Sequence, residues 1–274
     1  MTDGDGNSNA NERMPVVFIG HGSPLNLIER NGFTESLRGL GRSLPRPEAI
    51  LVISAHWLTE GTYVTCTNKP RTIHDFYGFP EELYALEYSS PGAPTCAQSV
   101  IDAVESTEIK CDNDWGLDHG AWAVLKHMFP KADIPVFELS LDYSFNEWNP
   151  KPLDYHYKLG SELTDLRNRG ILIIGSGNIV HNLRLVDFER TDAEPYDWAL
   201  EFDQQVKINL TKKNHKDLLS CENMGKSAPY AVPTLDHYLP LVYVISMQQK
   251  GEPLTFTHEG FQNASISMRC FKIG

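Results

Sequence analysis

Three histidines stand just beyond three apolar runs. His21 follows Val16 to Ile19 and lies between Gly20 and Gly22, His56 ends the stretch Ala49-Ile-Leu-Val-Ile-Ser-Ala-His, and His181 follows Ile171 to Ile174 after a Gly175-Ser-Gly turn. Short continuous apolar runs of this kind read as strands buried on both faces of an α/β sheet. The ligand-binding rim of such a sheet lies at the carboxyl ends of its strands. Three strands that each deliver an imidazole to one rim predict a shared metal or catalytic site. Imidazoles without thiolate partners suit zinc or a non-haem ferrous ion. An imidazole that titrates near neutrality also suits proton transfer.

The elements that position these residues can be read along the chain. Leu25 to Leu40 predicts a helix or two short turns crossing from the first strand to the second, which makes those strands parallel. Gly61 to Pro94 is rich in turns and aromatics, with His74 and Asp75 as candidate pocket residues in Thr72-Ile-His-Asp-Phe-Tyr-Gly-Phe-Pro80. Long loops of this kind are usually functional. Thr95 to Ser106 reads as a helix. A second follows Asp118, a candidate cap, with Trp122, Leu125, Met128 and Phe129 as its apolar stripe. His119 falls in its first turn, where the positive helix end favours a neutral ring making one hydrogen bond.

Pro135 to Leu141 reads as a strand. After a Trp- and Pro-rich turn through Pro152, Leu153 to Arg169 reads as a helix that stops at Gly170 and feeds the Ile171 strand. Trp198, Phe202, Val206 and Leu210 form the core stripe of a further helix, and Thr211 to Ser227 reads as polar and exposed. A helix from Thr234 or Asp236 to Met247 carries His237 in its first turn, and Leu254 to Ile273 predicts a strand or hairpin closing one edge. The fold expected is α/β: a single domain over 14–274 with a central, mostly parallel or mixed sheet flanked by helices, preceded by a disordered tail over 1–13.

Lys+Arg 24 against Asp+Glu 36 gives a net charge of −12, which disfavours nucleic acid and anionic membranes as partners. No apolar stretch approaches a membrane span and the first residues lack signal-peptide character, so a cytoplasmic protein is expected. Cys66, Cys96, Cys111, Cys221 and Cys270 are scattered with no Cys-x-x-Cys pair. Free thiols are expected, rather than a disulfide framework or a thiolate zinc site.

Six islands, Gly20-His-Gly-Ser-Pro24, Ser54-Ala-His-Trp57, His74-Asp-Phe76, Asp118-His-Gly120, Ser176-Gly-Asn-Ile-Val-His-Asn-Leu183 and His237-Tyr-Leu-Pro240, resemble the class III extradiol ring-cleavage dioxygenases, in the branch of the 4,5-DOPA dioxygenase extradiol type. The resemblance spans Met14 to Gly274 with the motifs in order. It implies cleavage of a catechol, a small aromatic diol of the DOPA kind, by dioxygen at one divalent metal ion. Fe(II) is implied for turnover, with Zn(II) as the ion on isolation. His21 and His56 become metal ligands, and His237 takes the third position, where other branches of the superfamily carry a carboxylate. Three protein ligands leave three positions on an octahedral ion, so His181 is implied as an acid–base residue, able to coordinate as a fourth ligand in a resting or zinc-loaded form. His119 hydrogen-bonds an oxygen, and Trp57, Asn178 and Tyr238 are candidate pocket walls by adjacency. A zinc-dependent hydrolase using His181 or His119 as base and a non-enzymatic metal-binding protein are the competing readings, and retention of both His119 and His181 favours the dioxygenase.

Overall fold

Alternation along the buried strands decides the architecture. In β1 (Val16–Gly20) every residue is buried, with Val16 and Phe18 in one hydrophobic cluster and Val17 and Ile19 in another, because successive side chains of a strand point to opposite faces. In β2 (Ala49–Thr59) the same alternation sends Leu51 and Ile53 to the first cluster and Ile50 and Val52 to the second. A sheet with two apolar faces must be covered on both.

The computed structural model describes residues 13–144 and 149–274. The remaining strands are β3 (Thr62–Thr65), β4 (Ile109–Asp112), β5 (Val136–Ser144), β6 (Asn149–Pro150), β7 (Ile171–Gly177), β8 (Leu254–His258), β9 (Phe261–Gln262), β10 (Ile266–Ser267) and β11 (Cys270–Ile273). The helices are α1 (Gly32–Ser43), α2 (Glu81–Tyr84), α3 (Pro94–Ala103), α4 (His119–Met128), α5 (Leu153–Glu162), α6 (Asp197–Lys212), α7 (His215–Leu218), α8 (Ala228–Ala231) and α9 (Leu239–Ser246). The main sheet runs β4-β3-β5-β2-β7-β1-β11-β8, with β6 attached to β5, and β9 and β10 form a separate ribbon. Its centre, β5-β2-β7-β1, is parallel, whereas β3 meets β5, and β11 meets β1 and β8, in antiparallel pairs. The sheet is therefore mixed around a parallel core, a single-domain α/β architecture. Phe33 and Leu37 of α1 and Trp122 and Leu125 of α4 cover one face. Leu159 of α5, Phe202 and Val206 of α6 and Val244 of α9 cover the other.

Several boundaries differ from expectation. The helix expected over Leu153 to Arg169 breaks at Leu163 into α5 and a 3₁₀ turn, Thr164–Arg169, while Gly170 ends it at φ +76° as foreseen. Strands β3 and β4 carry too weak an apolar alternation to be read as strands and were not anticipated. Leu218, Cys221 and Met224 are buried within the stretch expected to be exposed, because α7 packs near α9. The expectation that no cysteines pair is corrected. β3 and β4 run side by side with Val64 opposite Cys111, so the Cα atoms of Cys66 and Cys111 come within 5.7 Å and a disulfide joins them, at ordinary disulfide spacing. The expected tail over 1–13 lies outside the described residues except for Arg13, as does part of the turn before Pro152. Among the described residues no helix is long and apolar enough to cross a membrane.

Candidate metal centre

Register across the parallel core brings the site together. Gly20 pairs with Gly177, and both Ile19 and Ser54 pair with Ser176, so β1, β2 and β7 reach the rim at one level. The His21 N–H extends the ladder by donating to the Gly177 carbonyl at 3.0 Å. Gly22 then turns the chain at φ +63°, a left-handed conformation that glycine adopts without steric cost. His56 was expected just past a strand end. Instead β2 continues to Thr59, and His56 sits where its register with β5 shifts, between Ile53 and Leu58. His237 was expected inside a helix. It precedes α9 by two residues, with Pro240 near the helix start, and a Cβ on Gly177 would stand 2.2 Å from the His237 carbonyl oxygen. That glycine permits the close approach of the two chains.

Each of these three rings has an oxygen at its far nitrogen. Ser176 Oγ donates its one proton to the Gly120 carbonyl at 2.6 Å, so at 3.0 Å from His21 Nδ1 it accepts, and the neutral ring leaves Nε2 bare. Asp236 Oδ2 accepts from His237 Nδ1, and Asp75 Oδ2 lies 3.5 Å from His56 Nδ1. Oxygen partners on the outer nitrogen are how metal-binding imidazoles are oriented. The tautomers follow from this network.

Ligand atoms of His21, His56 and His237 lie within 4.8 Å of one another, and His21 Nε2 and His56 Nε2 are 3.1 Å apart. Two lone-pair nitrogens facing each other repel unless a cation lies between them. Their separation is near the roughly 3.3 Å edge of a tetrahedron with metal–nitrogen bonds of about 2.0 Å. The donor set fits a divalent ion. Burial, and then the neighbouring imidazoles, lower the basicity of His21 and His56 well below the usual histidine value, so both are neutral and ready to ligate at physiological pH. Burial raises the Asp236 carboxyl, but the adjacent His237 outweighs it and holds the group well below the ordinary carboxylate value.

Two further histidines flank the group. The His119 ring lies 4.0 Å from that of His56, centroid to centroid, its backbone N–H donates to Asp75 Oδ1 at 2.8 Å, and its Nδ1 stands 2.8 Å from Asp75 Oδ2. Burial raises the Asp75 carboxyl, yet the hydrogen bonds from His119 hold it below its usual value. His181 stacks flat on His237, centroids 3.5 Å apart and planes 8° apart, and its backbone N–H donates to the Ala231 carbonyl. It does not belong to the converging trio. Burial, then the neighbouring His237, lowers its basicity as well. The His56 side chain keeps 21 % exposure and His181 is half-buried, whereas His21, His119 and His237 are buried.

Beneath His119 lie two buried carboxyls. Asp118 caps α4, accepting from the Ala121 N–H and from Ser54 Oγ, while Glu138 accepts the Asp118 N–H and the Trp115 indole N–H. Burial, followed by the charge of Asp75, pushes the Asp118 carboxyl up to about 6, and burial beside Asp118 pushes Glu138 well above its usual value.

Among the other candidates, His74 ties the loop to the Leu86 carbonyl, Trp57 is buried in a stack on Trp115, and Asn178 holds the Ser267 carbonyl. Tyr238 is not a pocket wall. It is fully buried, with its hydroxyl on the Leu218 carbonyl. Sequence reasoning missed Ser176 and Glu138 as partners in the site and gave Asp75 only a pocket-lining role.

Residues 20–268 match the family described as the catalytic LigB subunit of aromatic ring-opening dioxygenase. A 4,5-DOPA dioxygenase extradiol of Escherichia coli K12 is 44% identical over 265 residues, covering 96% of this chain and 95% of that protein. The Beta vulgaris protein of the same name is 34% identical over 264 residues, covering 94% and 95%. The crystal structure of an uncharacterized protein from Escherichia coli K12 superposes with a TM-score of 0.82 at 40% identity, covering 96% of this chain and 100% of that one.

Proposed function

Since this chain belongs to the LigB family of aromatic ring-opening dioxygenases, we propose that it is an extradiol enzyme opening the ring of a catechol of the DOPA class with dioxygen. One observation carries the reading at the level of residues: three bare imidazole nitrogens converge, each with its far side on an oxygen, and two more imidazoles flank them. His21, His56 and His237 would hold the divalent ion, Fe(II) for turnover and Zn(II) on isolation, since zinc outcompetes ferrous ion at nitrogen sites. The ion, when bound, supplies a positive centre that acidifies the catechol hydroxyls and redox chemistry toward dioxygen.

The chain's own residues do the rest. His181, half-buried and neutral, takes a hydroxyl proton from the arriving catechol and returns it to the opened product. His119 hydrogen-bonds a hydroxyl of the substrate. Phe76, edge-on to His119 with ring centroids 5.7 Å apart, gives the aromatic substrate an apolar wall. We assign the enzyme to the cytoplasm, where Cys66 and Cys111 should titrate as free thiols in freshly lysed cells; a disulfide that persists there, as the pairing in the structure allows, would place it in an oxidising compartment instead.

The deciding experiment loads the protein anaerobically with Fe(II), adds DOPA, and admits air. Oxygen uptake with the yellow absorbance of a ring-opened semialdehyde is expected. No uptake across a catechol panel, with zinc-dependent hydrolysis of esters, amides or phosphates instead, overturns the proposal.

A further inference from the structure

We propose that Asp75 is a positioning residue shared by two imidazoles. One carboxylate fixes the ring tautomer of His119 and steadies His56, so the loop Thr72 to Phe79 sets which nitrogen each ring turns toward the reacting atoms. The inference rests on the roles given above to His56 and His119.

For His119 the geometry allows one hydrogen pattern. Asp75 accepts the His119 backbone N–H on Oδ1 and faces His119 Nδ1 with Oδ2, both at 2.8 Å. An ionised carboxylate has only acceptors, so Nδ1 of His119 carries the hydrogen and a neutral ring presents a bare Nε2. The same Oδ2 lies 3.5 Å from His56 Nδ1, near enough to favour hydrogen on that nitrogen once a cation takes up the lone pair of Nε2 beside His21. His119 therefore meets a substrate hydroxyl as an acceptor.

A purely structural role explains these contacts poorly. The cap of α4 is already supplied by Asp118, and no lysine or arginine pairs with Asp75 among the described residues. A carboxylate whose side chain keeps only 20% exposure and that has no cation beside it is costly unless its hydrogen bonds compensate, and the ones it accepts come from His119. The loop is also registered against α4. The Trp122 indole N–H donates to the Ile73 carbonyl at 2.8 Å, and His74 is tied to Leu86. Asp75 is thus delivered to His119 by the two residues before it in sequence.

The test is Asp75→Asn. The amide oxygen can keep the His119 backbone N–H, but its NH₂ then faces Nδ1 and demands an acceptor there, moving the ring hydrogen to Nε2. In zinc-loaded protein labelled with ¹⁵N-histidine, with His119 assigned through His119→Gln, the expected result is an exchange of the Nδ1 and Nε2 resonances between protonated and bare positions. In the Fe(II) form, kcat should fall roughly 10²- to 10⁴-fold, as expected for a positioned acid or base left in the wrong tautomer. Metal content and KM for the catechol should stay within about twofold. Asp75→Glu, which keeps a carboxylate, should recover part of kcat and the original resonance pattern. Unchanged His119 resonances in Asp75→Asn, or loss of metal from it as complete as from His56→Ala, overturns the proposal. A tautomer exchange in a protein that cleaves no catechol even as wild type would leave the positioning intact and remove the dioxygenase reading instead.

Discussion

His119 and His181 flank the same three histidines and are held in opposite ways. His119 opens α4 with both its ring and its backbone on Asp75, above the buried Asp118 and Glu138. His181 stands in the loop after β7. Its backbone is held by Ala231 and by a bridge to Ile266, and its ring rests on the face of His237 with no hydrogen bond among the described residues. A residue fixed through its ring and its backbone presents one nitrogen in one direction, which suits accepting a substrate hydroxyl at a set place. A stacked ring can slide and turn within its plane, which suits receiving a proton at one place and returning it at another. Among the described residues, the site pairs an imidazole held by a hydrogen bond with one held by stacking alone.

The largest expected effect concerns the ground both share. His21→Ala, His56→Ala and His237→Ala should each reduce bound metal from about one ion per chain to a small fraction, since each removes one of three nitrogen donors. Metal analysis of the purified proteins checks it. Full occupancy in any one of them would take that residue out of the centre.

The next effect separates the flanks from the centre. His181→Gln and His119→Gln should keep the metal and lose roughly 10²- to 10⁴-fold in kcat. Iron titration beside turnover makes the distinction. If His181→Ala loses iron as badly as His237→Ala, then His181 is a fourth ligand, and the contrast between a fixed and a movable ring fails.

What could be read from the sequence follows from how local each signal is. His21 and His181 were legible because apolar runs lie beside them in the chain, although Gly175-Ser-Gly177, expected as a turn before His181, continues β7 as buried strand paired with β1. His56 was legible as a site residue but misplaced, since nothing in Ser54-Ala-His-Trp-Leu announces that the strand continues past its irregularity. Ser176 orients His21 only because β1 and β7 are neighbours with Ile19 opposite Ser176, a fact of topology. Glu138 is an acid inside the run Val136-Phe-Glu-Leu139, which flags it, but its partner lies 20 positions away. The Cys66–Cys111 pair depends on β4, whose alternation of Lys110 and Asp112 with Ile109 and Cys111 carries too little apolar signal to be read as a strand.

The smallest effect tests whether the fixed flank is built on a shared proton. Asp118 Oδ2 is buried with no hydrogen-bond partner unless Glu138 carries a proton toward it. Both carboxyls are raised by burial, Asp118 to about 6. A carboxyl raised in the folded state contributes stability that is fully present below its unfolded value, near pH 4, and is lost as pH climbs through the folded value. Wild-type stability should therefore decline from about pH 4 through pH 6 and beyond, by on the order of 2 to 3 kcal/mol. Glu138→Gln carries its hydrogens at every pH and lacks the share of this loss that belongs to Glu138, while Asp118, raised by burial and Asp75, keeps its own. It also gives up one acceptor, for the Asp118 or Trp115 N–H, so it should be the less stable protein at pH 5, by about 1 kcal/mol. Thermal melts of the two zinc-loaded proteins from pH 5 to pH 8 should show Tm of the variant gaining on wild type by a few degrees as pH rises. Parallel curves would mean that Asp118 and Glu138 share no proton, and that His119 stands over an ionised pair.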